Sequence, residues 1–338
     1  MDPWLEQHLV CPRDQSGLRA ERDRLVCVNG HKYPIVQDVP VMLLDDVAQT
    51  IGVASDSLRA ATEKPDDKWF VDAVGCSAVE KDEIRKLILS SEPGAVDPVV
   101  QFVLAATNGI LYKPLLGKLK EYPIPEIRLP ASDGEPLLDI GCNWGRWCIA
   151  AARKGYRVTG IDPSLGSVLA AKRASSALGV RPNFVVGDAR YLPFKADTFA
   201  RVFSYSVLQH LSKEDVILVL KHITRVLHPG GQSLIQMANA LGIRSLQHQV
   251  SRGFRPAKNF EVRYWTPGEL RRQFGRHIGK TRLSVDGYFG LGIQVSDVQV
   301  MPPTYRTIVR ASESLRALSK WTPIVWAADS LYVSSRRK

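Results

Sequence analysis

Three carboxylates stand at places where an α/β chain presents ligand-binding groups. The apolar run Leu137-Leu138-Asp139-Ile140 breaks into Gly141-Cys142-Asn143-Trp144-Gly145. Arg157-Val158-Thr159-Gly160-Ile161 ends on Asp162, and Phe184-Val185-Val186-Gly187 ends on Asp188-Ala189. Open α/β sheets bind ligands outside the carboxyl ends of their strands, so three acids at successive tips face one crevice. An acid at the second tip suits the two hydroxyls of a ribose. Glycine belongs where backbone must approach a ligand closely or take positive φ. The spacing Gly141, Asn143, Gly145 lacks the x-x-Gly continuation that seats a pyrophosphate on a helix N-terminus. Asp139 would also repel a pyrophosphate, and it would welcome a cation. Taken singly, Asp162 reads equally as a helix cap before Pro163-Ser164 and Asp188 as a turn acid; the ordered set of three outweighs those readings.

A second constellation lies near the N-terminus. Cys11-Pro12-Arg13-Asp14 and Cys27-Val28-Asn29-Gly30-His31 are two short knuckles with zinc-ribbon spacing, which predicts a Cys11, Asp14, Cys27, His31 ligand set for Zn2+. Asp14 stands where a second cysteine is usual. The competing reading is a ribbon held by a small core of Leu25, Val26, Tyr33, Ile35, Val39 and Val41.

The elements that must position these groups follow from periodicity. Residues 1–45 read as a small β-rich module. Residues 46–130 read as a helical cap and linker, with apolar positions at Ile84, Leu87, Ile88 and Val99, Val100, Val103, Leu104. Asp97-Pro98 is a helix start. Residues 131–338 read as the main domain. Its strands are expected at Leu137–Ile140, Val158–Asp162, Phe184–Val186, Ala200–Ser206, Ser233–Met237, Thr281–Val285 and Ile324–Ser334, with a helix from Leu165 to Leu178 and a tight turn at Leu227–Gly231. Alternating strands and helices imply a parallel sheet with right-handed crossovers. Thr266-Pro267-Gly268-Glu269 is a capping box. Insertions are expected at 240–265 and 291–322. The first interleaves Arg244, Arg252, Arg255, Lys258 and Arg263 with Phe254, Phe260, Tyr264 and Trp265.

With strand, glycine turn, helix and acidic tips in this order, residues 135–240 resemble the class I S-adenosylmethionine-dependent methyltransferases of the type 11-like group. That cofactor has a sulfonium and an α-ammonium and no phosphate, as the charge of the loop demands. The resemblance implies a Rossmann-like seven-stranded sheet with helices on both faces, plus the N-terminal ribbon and helical or lid insertions. It implies that Asp162 holds the ribose hydroxyls, that Asp188 accepts from the adenine amino group with Ala189 as backbone donor, and that Gly141 with its neighbours Asp139, Asn143 and Gly145 faces the methionine part. Ser204 and Gln209 follow at the fourth strand, and Gln209 would orient cofactor or substrate. His210 stands where methyl acceptors meet the cofactor in this family and is the candidate base; the alternative is a structural histidine. His248 and Tyr264 are secondary candidates. Asn108 and Tyr112 read first as packing and turn residues and second as cofactor or substrate contacts. Cys142 and Cys148 read as packing residues. The first 45 residues resemble the zinc-ribbon module of methyltransferase activator subunits and of rRNA guanine methyltransferases.

Composition is that of a globular protein, with 45% hydrophobic and 23% charged residues. No apolar run approaches the ~20 residues of a membrane span, the N-terminus lacks a secretory pattern, and five scattered cysteines describe no disulfide framework. These features predict a cytoplasmic location. Residues 241–338 hold 17 of the 45 Lys+Arg and 6 of the 34 Asp+Glu, so the first 240 residues balance and the whole net charge of +11 lies at the C-terminal end. The surplus points to an anionic partner. The reading is O-methylation of an anionic small molecule or a glycan- or lipid-linked intermediate, with His210 as base and contact with a membrane surface compatible. The Gln209-His210 pair resembles the small-molecule branch that includes quinone-biosynthesis methyltransferases. The alternatives are an rRNA or tRNA methyltransferase and a non-catalytic nucleoside-binding scaffold. The place of the Asn/Asp-Pro-Pro-aromatic motif of amino-methylating enzymes reads Ser204-Tyr205-Ser206-Val207, which weighs against RNA.

Overall fold

The computed structural model describes the 338-residue chain except for residues 50, 64–66, 92–93, 108–111, 291–293, 301–302 and 320–322. The chain divides into two compact units, Met1–Thr198 and Phe199–Lys338. No helix among the described residues is long and apolar enough to cross a membrane.

The first unit opens on an antiparallel sheet of order β1-β2-β3-β4, formed by Leu18–Glu21, Arg24–Cys27, Lys32–Val36 and Val39–Pro40. Its core is Leu25, Val26, Tyr33, Val36, Val39 and Val41, all buried; Ile35 is half-buried. Three strands of the larger sheet follow: β5 (Pro136–Ile140), β6 (Arg157–Asp162) and β7 (Asn183–Val186), all parallel, with Asp139 beside Gly160 and Ile140 beside Ile161. The small sheet does not stand apart from them. Val41 bridges Val186 in parallel, the Met42 N–H donates to Val186 O at 2.7 Å, and the Val10 N–H donates to Pro193 O at 2.9 Å. The N-terminal segment thus covers backbone of β7 that would otherwise be an open strand edge.

Three helices lie between these sheets, at Val53–Glu63, Ala78–Ser90 and Pro98–Thr107. The third starts at Asp97-Pro98 as expected. The Asp97 carboxylate accepts from the Val99 and Val100 N–H groups and pairs with Arg173 Nε at 2.6 Å. Every residue from Pro98 to Ala105 is buried. Tyr112 is buried too, as a packing residue; Asn108 lies outside the described residues. The helix Arg146–Arg153 packs so tightly on β6 that Gly160 has no room for a side chain: a Cβ there would sit 2.7 Å from Cys148 Sγ and 2.8 Å from Cys142 Sγ. Both thiols are buried packing groups.

The second unit supplies β8 (Phe199–Ser204), β9 (Leu227–Ala238), β10 (Gly279–Gly287) and β11 (Ser330–Arg337), in the order β10-β11-β9-β8. β8 and β9 are parallel; β11 runs antiparallel between β9 and β10. Together with β5, β6 and β7 these are the seven strands of a mixed α/β sheet. The Thr266–Glu269 capping box opens the helix Pro267–His277 as expected.

Several boundaries differ from the sequence reading, and β8 stops at Ser204 rather than Ser206, where the backbone turns left-handed. The expected tight turn at Leu227–Gly231 is absorbed into β9, which runs from Leu227, and the pairing with β8 shifts register between Phe199 and Arg201 to accommodate it. β10 extends to both sides of Thr281–Val285. The last strand begins at Ser330 rather than Ile324, because Pro323–Ala327 winds into a 3-10 turn. There the Asn239 side-chain amide takes the carbonyls of Trp326 and Ala328, so a tertiary contact overrides the β propensity of Ile324-Val325-Trp326. The 240–265 insertion holds one helix, Ile243–Ser251, and the 291–322 insertion holds the helix Pro303–Leu318.

Candidate functional site

In the first unit the loop after β5 takes left-handed backbone at Gly141 (φ +74°), Asn143 (φ +49°) and Gly145 (φ +79°). The last suits only glycine on two counts, since a Cβ at 145 would also lie 2.9 Å from Ala171 Cβ. This winding brings the Asn143 N–H to the Asp162 carboxylate at 3.0 Å, while the Ser164 N–H donates to its other oxygen at 2.9 Å. Asp162 is therefore oriented by backbone from both sides of the sheet tip and is only half-buried. It keeps lone pairs for further donors, since an ionised carboxylate accepts about four hydrogen bonds. Desolvation raises its pKa to about 6, against the pull of those two amides.

Asp139 is different. It is 1% exposed beneath the loop, its Oδ2 accepts from Cys148 Sγ at 3.2 Å, and its Oδ1 has no partner among the described residues. Burial raises its pKa to about 7, with a smaller push from the Asp162 charge. Asn143 Oδ1 is likewise buried without a partner. Two orphaned acceptors in one glycine turn fit a ligand that brings N–H donors and positive charge, and they do not fit a pyrophosphate.

Asp188 caps the 3-10 turn Ala189–Tyr191 by accepting from the Arg190 N–H at 2.8 Å, and the Arg190 guanidinium pairs with the same carboxylate at 2.7 Å. The sequence reading missed this pair, although Arg190 stands two residues on. The acid is pinned at the third strand tip with part of its accepting capacity already used.

In the second unit Ser204 ends β8 fully buried, and the chain then turns through Ser206 at φ +61°. A buried network holds that turn. The Ser206 N–H donates to Gln236 Oε1 (2.7 Å), Gln236 Nε2 to Ser330 Oγ (2.6 Å), and Ser330 Oγ to Asp286 Oδ2 (2.7 Å), where Tyr205 Oη also donates. Gln209 Nε2 donates to Ser206 Oγ at 2.9 Å, and its own Oε1 is a buried acceptor with no partner among the described residues. No sequence signal marked Gln236, Ser330 or Asp286, which the fold draws from three separate strands.

His210 closes the 3-10 turn Leu208–His210. Its ring stacks on Phe260 at 4.0 Å and 2°, and its Nδ1 lies 2.7 Å from Phe260 O. A carbonyl only accepts, so Nδ1 carries the proton and the neutral ring presents Nε2 as an acceptor. Burial lowers its pKa, and the Arg263 charge adds to that. Arg263 clasps the same turn, donating from N–H to Gln209 O and from Nη1 to His210 O, both at 2.7 Å. The segment carrying Phe260 and Arg263 also lines an open cavity of about 480 Å³ with His248, Arg252, Arg255 and Tyr264. His248 Nδ1 and Tyr264 Oη meet there at 3.3 Å.

Residues 137–231 match the family model for a methyltransferase domain, and this stretch carries the loop, the three acids and the Gln209-His210 turn. Residues 137–231 thus carry a methyltransferase domain. Among curated relatives, a ubiquinone biosynthesis O-methyltransferase of Azorhizobium caulinodans is 28% identical over 42% of this chain and 57% of its own length. An ajmaline N-methyltransferase of Rauvolfia serpentina is 28% identical over 39% of this chain and 50% of its own. The chain thus spans about half the length of these relatives. The YcgJ protein of Bacillus subtilis is a similar solved structure, with 19% identity, 62% of this chain, 94% of that chain and a TM-score of 0.44.

The N-terminal knuckles bring Cys11, Asp14, Cys27 and His31 together, with one ligand atom from each within 4.8 Å of all the others. His31 Nδ1 lies 3.5 Å from Cys11 Sγ, 3.2 Å from Cys27 Sγ and 3.2 Å from Asp14 Oδ2. Zinc bonds of about 2.0–2.3 Å in a tetrahedron require ligand separations of about 3.3–3.8 Å; the three His31 distances lie near that range and Cys27 Sγ to Asp14 Oδ2 is wider at 3.9 Å, so the donor set suits that ion once its wider pairs draw in. Asn29 and Ser16 hold the Asp14 carboxylate by hydrogen bonds and keep its pKa well below the usual carboxylate range.

The buried Asp139 makes the protein's stability depend on pH. A carboxyl whose folded pKa lies above its unfolded value holds its proton more tightly when folded. Stability therefore falls as pH rises from about 4 to about 7, and the loss is complete above that window. Urea unfolding of the Asp139→Asn variant should show it gaining on wild type between about pH 4 and about pH 8, by on the order of 4 kcal/mol. A difference that stays constant with pH would contradict the assignment.

Proposed function

We propose that the protein transfers a methyl group from S-adenosylmethionine to a hydroxyl oxygen of an anionic small molecule or of a glycan- or lipid-linked intermediate, with His210 as the base. The observation that carries this reading is the His210 hydrogen bond to Phe260 O, which fixes the tautomer and leaves Nε2 able to accept a proton. A lowered pKa keeps that ring neutral at neutral pH. The bound cofactor supplies an electrophilic methyl on a sulfonium. On this reading Asp162 accepts from the ribose hydroxyls, and the orphaned oxygens of Asp139 and Asn143 receive the ammonium of the methionine part. Gln209, held against Ser206, offers its free Oε1 to cofactor or acceptor. As the acceptor oxygen attacks in line, its proton passes to His210 Nε2, and much of the rate comes from holding the two partners in that alignment.

The cavity lined by Arg252, Arg255, His248 and Tyr264 supports an anionic acceptor, although Glu261 pairs with Arg255 at 2.6 Å and would have to share it. The O-methyltransferase among the relatives supports an oxygen acceptor. Methylation of rRNA or tRNA is the second reading, favoured by the charge surplus confined to residues 241–338. For the N-terminal module we propose a single Zn2+ held by Cys11, Asp14, Cys27 and His31, with a structural role.

Two measurements test these assignments. His210→Ala should lower kcat by about a hundredfold or more while leaving cofactor affinity intact. It should also remove the acid limb of the wild-type pH–rate profile, which falls as pH drops through a pKa below 6.5. Full turnover in the variant removes His210 as base. Metal analysis of the purified protein should find one zinc per chain, and Co2+ substitution should give thiolate charge-transfer absorption that Cys27→Ser abolishes. A protein without zinc, whose Co2+ complex shows no thiolate band, rules the site out.

A further inference from the structure

The helix Ile243–Ser251 is built inside out. The side it turns to the protein is small and polar. At Gly242 a Cβ would lie 2.4 Å from Asp329 Cα; the Ser245 N–H donates to Asp329 Oδ1 at 2.7 Å; the Gln249 amide donates to Ala240 O at 2.8 Å. Its aliphatic residues Ile243, Leu246 and Val250 face solvent, and their spacing of three and four places them on one stripe. The stripe continues beyond the helix in Phe254, whose N–H is tied to Gln249 O while its backbone is held left-handed at φ +54°. That conformation is a genuine outlier for a bulky residue and costs on the order of 1 kcal/mol. It is spent here on a side chain 64% exposed. The segment from Arg244 to Arg263 also carries Arg252, Arg255 and Lys258 and, within it, one acid, Glu261, which pairs with Arg255 at 2.6 Å and lies 3.9 Å from Arg252.

We propose that this face docks on an anionic lipid bilayer, with Ile243, Leu246, Val250 and Phe254 entering the headgroup–acyl boundary and the cations meeting acidic headgroups. Apolar residues on one arc and arginine or lysine beside it are what an interfacial helix needs. Both halves of the pattern are used only by that partner. RNA gains from cations and from aromatic stacking, but it gains nothing from an aliphatic stripe. A second copy of this chain would cover the stripe but bring two basic patches together.

Co-sedimentation with vesicles of equal parts phosphatidylglycerol and phosphatidylcholine tests this. The 338-residue protein should pellet with these vesicles and stay in solution with phosphatidylcholine alone. The triple variant Ile243→Asp, Leu246→Asp, Val250→Asp should lose about tenfold or more of the bound fraction. These residues are about half exposed and none belongs to the core, so its circular dichroism should still be that of the folded protein. Arg244→Glu with Lys258→Glu should weaken binding without touching the stripe. Wild type remaining in the supernatant overturns the proposal, as does a triple variant that pellets like wild type. Failure to bind vesicles with either a dimer that the triple variant splits or retention on tRNA assigns the face to a second copy or to RNA, and overturns the proposal as well.

Discussion

Most of the first unit is arranged so that one carboxylate, Asp162, is held open. Two backbone amides, from Asn143 and Ser164, fix it from opposite sides. The Asn143 amide reaches it only because the loop winds left-handed at three of its five residues. That winding requires a helix seated close on β6, and the close seat requires Gly160, where any side chain would strike two sulfurs. Glycine at 145 and 160 and the small thiols at 142 and 148 are thus consequences of one demand. The chain must deliver backbone N–H groups to an acid at a strand tip without covering it.

The same loop carries a cost. Asp139 is buried beneath it with one oxygen unsatisfied, and Asn143 Oδ1 is in the same position. A buried unpaired acceptor costs roughly 1–3 kcal/mol. On the proposed reading, a cationic ligand that brings donors to both oxygens offsets that cost when it binds. In the second unit the equivalent problem is solved internally. Asp286, Tyr205, Ser330 and Gln236 are linked in a chain that ends on the Ser206 turn, where Gln209 Oε1 has no partner among the described residues.

What the sequence made legible was local. The strand tips, the glycine turn, the Asp97-Pro98 start and the Thr266–Glu269 capping box each declare themselves within a few residues. What it hid was long-range. Asp286 lies 81 positions from its partner Tyr205, and nothing in either segment points to the other. The docking of the ribbon on β7 depends on Val41 meeting Val186, which no local pattern encodes. The helix Ile243–Ser251 shows a limit of another kind. Its periodicity is that of a core helix, and pattern alone does not say which face turns inward; Asp329 and the absent side chain of Gly242 decide that. The last strand started late for a similar reason, since the Asn239 amide claims the carbonyls ahead of it.

The central claim is that the Asp139–Gly145 loop presents Asp162 to the ribose of S-adenosylmethionine. Calorimetric titration of the wild type and of Asp162→Ala tests it most directly, with a second titration by a cofactor analogue lacking the ribose hydroxyls. The account predicts that the substitution weakens cofactor binding by about 30-fold or more, as expected for charge-assisted bonds worth about 2 kcal/mol or more in sum. It predicts that the two proteins bind the dideoxy analogue alike. Equal affinity of both proteins for S-adenosylmethionine itself would contradict it.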